Sequence, residues 1–343
     1  MKYISTKESE KTRATNKTKM IEQVQVFLEE RSREALQIAK KKILKEKMEC
    51  KEIKDAFRYY IEDWRDVIHP GLLSIACEAV GGSVDKAVPM QVVMLLLAAA
   101  ADVHDDIIDE SKTKYGKPTV FARFGKDIAL LVGDAFLMKA LVLLHRLEKQ
   151  FPTEKIDAVW NIINSRFFEL GNAEAIEASL KGNVDISVEE YWQILRMKAS
   201  SCEAPMRIGA IVGGGGKDLI DLLGNYGRVL GTLIGIREDV IDVFEPAELQ
   251  NRMMNECLPL PILYAFKNPQ AKRIILDYLS KQEISDKDAE RMVAMIFEEE
   301  SVRMLRDKVK HLAEETCNSI TNISDETLAY QMKTLITGVI EDL

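Results

Sequence analysis

The feature that most constrains this chain is an apolar run, Val92 to Ala101. It closes on four consecutive alanines and passes almost directly into His104-Asp105-Asp106-Ile107-Ile108-Asp109. Alanine is the best helix former and a poor strand former, so the run reads as a helix. The acidic cluster then falls at the helix's C-terminal end, where Asp105 and Asp109, at i and i+4, share a face. The helix dipole favours cations at that end, so carboxylates crowded there call for a positive partner. A hard divalent cation with oxygen ligands meets the need, and Mg2+ is commonly held by one or two carboxylates plus the phosphates of a substrate. A second cluster, Glu238-Asp239-Val240-Ile241-Asp242, repeats the pattern after another apolar helical segment, Val229 to Ile236. Most charge runs are solvated helix faces. Two with the same spacing, each ending an apolar helix, favour a metal site between facing helices. The candidate metal ligands are therefore Asp105, Asp106, Asp109, Glu238, Asp239 and Asp242.

The remaining pattern is helical throughout, and the predicted fold class is all-α in one large domain. Residues 1–17 mix Lys, Glu, Thr and Ser without periodicity and read as a flexible tail, with the helical domain covering 18–343. Pro70 and Pro89 are placed to open helices, and Gly81-Gly82 to close one. Ser187 and Glu190 form a predicted capping box for a helix bearing Lys198. Gly213 to Gly216 reads as a helix-helix turn rather than a phosphate loop, because no strand precedes it and the Ser or Thr of such a loop is missing. Three amphipathic segments, near 270–281, 286–318 and 325–342, finish the chain.

A net charge of -8 argues against nucleic-acid binding. Five widely spaced cysteines without a C-x-x-C pair suggest a reduced, cytoplasmic protein. The polar N-terminus shows no signal peptide. The run Val92 to Ala101 is shorter than the ~20 apolar residues that span a bilayer, so the chain is not expected to be transmembrane.

The cluster His104 to Asp109, followed by Gly116-Lys117-Pro118-Thr119 and Gly133-Asp134, resembles the trans-isoprenyl diphosphate synthases, the polyprenyl synthetase family. Glu238 to Asp242 resembles that family's second aspartate-rich motif, and Tyr191 and Lys198 match its Tyr and its Lys-Thr pair, with Ala199 in place of the Thr. The resemblance runs from about Trp64 to Pro261. It implies an isoprenoid-synthase bundle around a deep central cavity, in which Mg2+, three ions with the substrate diphosphate, bridges both motifs to an allylic prenyl diphosphate. It also implies a homodimer, with a heterodimer beside an active synthase as an alternative. By the same resemblance Asp105, Asp109, Lys198, Asp239 and Asp242 are the catalytic set, and Lys114, Lys198 and Arg252 grip the diphosphate. Ala100 and Ala101, one turn before Asp105, stand where bulkier residues cap the cavity, which implies room for a chain of C20 or C25 length. Asp134 is expected to buttress the metal helices.

The positions that resemble the family's isopentenyl diphosphate site are altered. Its lysine is Asp66, its last arginine His69, its histidine Leu97 and a further arginine Tyr115. An acid where a diphosphate binds repels it. The expected function is therefore ionisation of an allylic prenyl diphosphate with a fate other than ordinary chain elongation: cyclisation or elimination as in terpene synthases, or transfer to another acceptor. Ordinary condensation with isopentenyl diphosphate, of the geranyltranstransferase or geranylgeranyl diphosphate synthase type, is the second reading, with Arg65, His69 and Lys112 rebuilding the acceptor site. A non-catalytic partner subunit is the third.

Overall fold

The computed structural model describes residues 4–114, 116–281 and 284–341; side chains are described from residue 23 onward, except those of residues 247, 286 and 322. Tyr115, one of the altered acceptor positions, lies outside the described residues. The helices in chain order are α1 (Ile4–Leu44), α2 (Lys51–Asp63), α3 (Ile68–Ala79), α4 (Val84–Ile108), α5 (Val120–Phe124), α6 (Lys126–Leu147), α7 (Thr153–Ser179) and α8 (Val188–Lys198). They continue as α9 (Ser200–Gly213), α10 (Lys217–Asp242), α11 (Pro246–Asn255), α12 (Leu260–Ala265), α13 (Pro269–Leu279), α14 (Asp286–Glu298), α15 (Glu300–Ser319) and α16 (Glu326–Ile340). Among the described residues the strands are β1 (Thr113–Lys114) and β2 (Lys117–Pro118), an antiparallel pair.

The packing centre is a layer in which α3 lies on α9 and α4, α9 on α10, and α4 on α6. Small residues permit the close approaches. A Cβ on Gly209 would stand 2.1 Å from the carbonyl oxygen of Leu73, so α9 can seat against α3 only with glycine there. Two apolar clusters fill the bundle: one is built on α4, α6 and α7, and the other runs from α8 through α10 to the C-terminal helices.

Several predicted boundaries move. Helix α1 begins at Ile4, where a loose tail to residue 17 was expected. Lys, Glu and Arg are good helix formers, and extending a nucleated helix adds one hydrogen bond per residue. Helix α2 has no counterpart among the predicted elements. Pro89 lies inside α4 rather than opening it, since the helix starts at Val84 after Ser83. The segment near 286–318 is two helices, parted at Glu299 by an extended backbone (φ -63°, ψ 133°). The capping box is formed as predicted, with Ser187 and Glu190 exchanging hydrogen bonds.

Three helices, α4, α6 and α10, are 25, 22 and 26 residues long and apolar enough to cross a membrane by length and composition. The short run at Val92 to Ala101 thus understated α4. Two thirds of its apolar window is buried inside the bundle, so the protein core accounts for its apolarity.

Candidate active site

Helix α4 ends at Ile108 and delivers Asp105, Asp106 and Asp109 to one end of the bundle. The negative end of that helix is answered in part by lysines. Lys181 donates to the Ile108 carbonyl at 2.5 Å, and Lys114, presented by β1, pairs with Asp106 at 3.4 Å and with Asp102, one turn deeper on α4. Burial opposes the charge on Lys114, yet the two carboxylates outweigh it and hold the ammonium above its ordinary range. Behind the motif, His104 lies against Gly133 of α6, where a Cβ would stand 2.3 Å from the imidazole. Its Nε2 is 3.4 Å from Asp134, so Gly133-Asp134 seats the residue that precedes the aspartates.

Helix α10 ends at Asp242 and brings the second motif to the same end. Asp239 is deeply buried and both of its oxygens are taken. Tyr191 donates to it at 3.0 Å, Arg252 at 2.8 Å and the Leu260 amide at 2.9 Å. Arg252 also donates to Asp242 at 2.6 Å, to the Tyr191 hydroxyl at 2.6 Å and to the Cys257 carbonyl at 3.0 Å. The residue expected to be a metal ligand, Asp239, and the one expected to grip the diphosphate, Arg252, are thus paired with each other. A buried carboxylate must be paired, and here the arginine that follows the motif pairs it. Of the second-motif acids, Glu238 takes no part in these bonds, and Asp242, although paired with Arg252 through one oxygen, is far more exposed than Asp239. Partial loss of water, with Asp239 and Asp242 close by, raises the Glu238 carboxyl.

Lys198, the last residue of α8, pairs with Glu174 at 3.1 Å and with Glu177, both on α7. These two glutamates, with Glu256 and Tyr60, are site residues absent from the sequence-based set. Glu174 and Glu177 stand three apart on a long amphipathic helix, and nothing in the chain links them to Lys198 except the packing of α7 against α8.

Lys114, Lys198 and Arg252 thus lie among ten carboxylates of the described residues: Asp102, Asp105, Asp106, Asp109, Glu174, Glu177, Glu238, Asp239, Asp242 and Glu256. The crowding shows in the acids. Burial, followed by the charges of Asp105 and Glu256, pushes Asp109 up to about 8. Burial pushes Glu174 to about 8, and Asp106 and Glu256 to about 7, against the pull of neighbouring lysines and Arg252. Glu238 senses Lys114 across the gap, and Asp109 senses Lys198 and Glu256, so the two motifs face each other.

At the altered acceptor positions, Asp66 caps α3. Its Oδ1 accepts from the amides of Ile68 at 3.1 Å and His69 at 3.2 Å, and its Oδ2 lies 2.8 Å from His69 Nδ1. Burial disfavours the imidazolium, but Asp66 outweighs it and raises the His69 pKa. Of the residues proposed to rebuild the site, Arg65 pairs with Asp63 at 3.7 Å and Lys112 lies over the Phe121 ring at 4.3 Å. Leu97 is 9% exposed. Ala100, expected to bound the pocket, is instead sealed in the core at 1% exposed. Ala98 and Ala101 are half-buried and share the face of Asp105, because helical spacing aligns positions three, four and seven apart.

A polyprenyl synthetase family model matches residues 50–296, which takes in both aspartate clusters, Lys114, Lys198 and Arg252. The chain belongs to the polyprenyl synthetase family. It is 26% identical over 268 residues to the geranylgeranyl diphosphate synthase of Methanosarcina mazei, covering 76% of this chain and 80% of that one. It is 31% identical over 205 residues to the heterodimeric geranylgeranyl pyrophosphate synthase large subunit 1 of Arabidopsis thaliana, covering 56% and 54%. The crystal structure of geranylgeranyl pyrophosphate synthetase from Pyrococcus horikoshii superposes with a TM-score of 0.83 at 22% identity, over 94% of this chain and 99% of that one.

This polyprenyl synthetase is an enzyme of the transferase type, and the family's substrate is an allylic prenyl diphosphate. Its relatives favour chain elongation, the second of the sequence-based readings, over a terpene-synthase-like fate. The donor chemistry fits Mg2+, because the groups that α4 and α10 bring to this end of the bundle are hard carboxylate oxygens. Among the described residues no three His, Cys, Asp or Glu side chains by themselves form a metal-binding group.

Proposed function

We propose that this polyprenyl synthetase is a trans-prenyltransferase that joins an allylic prenyl diphosphate to isopentenyl diphosphate, the geranylgeranyl diphosphate synthase type of the Methanosarcina mazei relative. The observation that carries it is the pair of acidic helix ends, α4 and α10, facing each other with Lys114 and Lys198 between acids on the same floor. Asp105, Asp109, Glu238 and Asp242 are the residues to hold Mg2+, with Asp106 supporting through Lys114. Bound Mg2+ supplies Lewis-acid neutralisation of the departing pyrophosphate. Lys114 and Lys198 orient the diphosphate, and the half-buried Ala98 and Ala101 leave an apolar wall that shields the allylic cation from water. The free cysteines favour a reducing compartment, the cytoplasm.

A specific observation keeps a second reading. Asp66 and His69 are committed to each other and to the N-terminus of α3, which puts an acid where the acceptor diphosphate would lie. On that reading the allylic diphosphate is ionised and its cation cyclises, loses a proton or meets another acceptor. Purified protein with Mg2+, C10 to C25 allylic diphosphates and labelled isopentenyl diphosphate decides between them. The first reading expects longer, labelled prenyl diphosphates. Pyrophosphate and unlabelled hydrocarbon or alcohol in the absence of isopentenyl diphosphate would establish the second. No turnover by the chain alone, restored by adding an active synthase, would make it a partner subunit.

A further inference from the structure

The hairpin that presents Lys114 is pinned from α2. The Tyr59 hydroxyl donates to the Pro118 carbonyl at 2.6 Å, and Lys117 pairs with Asp63 at 2.5 Å. The next residue on α2, Tyr60, donates to Asp102 Oδ2 at 3.2 Å. Its ring is itself fixed, 5.6 Å from Trp64 and 5.1 Å from Phe136. Asp102 Oδ1 takes the Lys114 ammonium. Both oxygens of Asp102 therefore accept from protein donors, which hold the carboxylate between Tyr60 and Lys114. It adds a negative charge one turn below Asp106, on the face where an anion must settle. With the hairpin backbone tied to α2, the Lys114 side chain is the part that must turn toward a ligand, and it starts from two carboxylates.

We infer that Asp102 is a positioning residue: oriented by Tyr60, it restrains Lys114 and so weakens this chain's grip on a diphosphate. The inference rests on the diphosphate-binding reading of the site given above. A lysine ammonium is a compact charge with three donors. The pair with Asp102 engages one of them and must be shared or broken before a phosphate oxygen replaces it. Among the described residues Asp106 is the other carboxylate paired with Lys114, while Asp105 and Glu238 act on it from further away.

The test is calorimetric binding of inorganic pyrophosphate in the presence of Mg2+, which needs no turnover and no choice of acceptor. Asp102→Asn keeps the shape and removes the charge; it is expected to bind pyrophosphate about three- to tenfold more tightly, and Asp102→Glu to return to the wild-type affinity. In a Lys114→Ala background, Asp102→Asn is expected to change nothing, because the restraint acts through the lysine. Asp102→Ser serves as a second charge-free variant should the asparagine protein not fold. Unchanged or weaker binding by the charge-free variants overturns the inference. So does an equal gain with and without Lys114, which would mean that the acid repels the ligand directly. Wild-type protein that binds no pyrophosphate with Mg2+ sinks the diphosphate reading itself, an outcome distinct from the other two.

Discussion

At the scale of single residues, the site is defined by which acids the protein satisfies for itself. Arg252 and Asp239 are both nearly inaccessible and make hydrogen bonds to each other and to Tyr191, Leu260 and Cys257. Breaking a buried pair leaves an uncompensated charge, so Arg252→Met is expected to lose about 3–5 kcal/mol of stability in urea unfolding. A loss below about 1 kcal/mol would show that Arg252 is not the strut described. The raised acids set a pH dependence. Asp106 and Glu256 titrate near 7, and Asp109 and Glu174 near 8, in the folded protein. In the unfolded chain such groups titrate near ~4. Between those limits the native state holds protons that the unfolded state has lost, so stability falls as pH rises through the folded values. Thermal melting of the metal-free protein should give a lower Tm at about pH 8.5 than at about pH 6. Mg2+ with pyrophosphate should protect more strongly at the higher pH, because metal ligands must be deprotonated. A flat profile without metal would contradict the assigned crowding.

At the scale of elements, α4 carries most of the chemistry and its neighbours determine how. Gly133 on α6 leaves room for His104, so Gly133→Ala must push the imidazole and tilt the end of α4. Overpacking of this kind costs about 1–3 kcal/mol, and the expected readout is a loss of Mg2+-pyrophosphate affinity larger than the loss in Tm would suggest. Depth is also a property of this helix. Below Asp105 the half-buried face of α4 reads Ala101 and Ala98, and the buried Leu97 and Met94, ~12 to ~16 Å down the axis at 1.5 Å per residue, are the first bulky side chains beneath it. Ala101→Phe is expected to shorten the product chains seen by lipid chromatography, whereas the same change at the sealed Ala100 should destabilise the fold without shortening them.

At the scale of the whole molecule, large apolar side chains on α6 and α7 are exposed among the described residues. Leu131, Met138 and Val142 lie along one side of α6, and Phe167 and Phe168 are exposed on α7. Large apolar side chains exposed together on a helix face mark an interaction site. A second copy of the chain is the proposed occupant, and isologous contact would bury the face on both copies. Met138→Lys with Phe168→Asp is expected to convert a dimer to a monomer in sedimentation velocity. A wild-type protein that sediments as a monomer would remove the proposal.

The aspartate clusters, the alanine run and the helical class were legible along the chain because each depends on local spacing: i and i+4 on one helix, apolar periodicity, a capping box at Ser187 and Glu190. Helix α2 was not legible. Its function is to pin the Lys114 hairpin, and both partners lie more than fifty residues away. Tertiary packing alone decided how the charges pair. It put Glu174 and Glu177 on Lys198, Asp102 on Lys114 and Arg252 on Asp239, through contacts that sequence spacing does not encode. The sequence by itself determined which helix ends are acidic and which cations are present. The fold determined which of those acids are already neutralised and which stay open to a metal, because burial and pairing are properties of the assembled bundle rather than of any one helix.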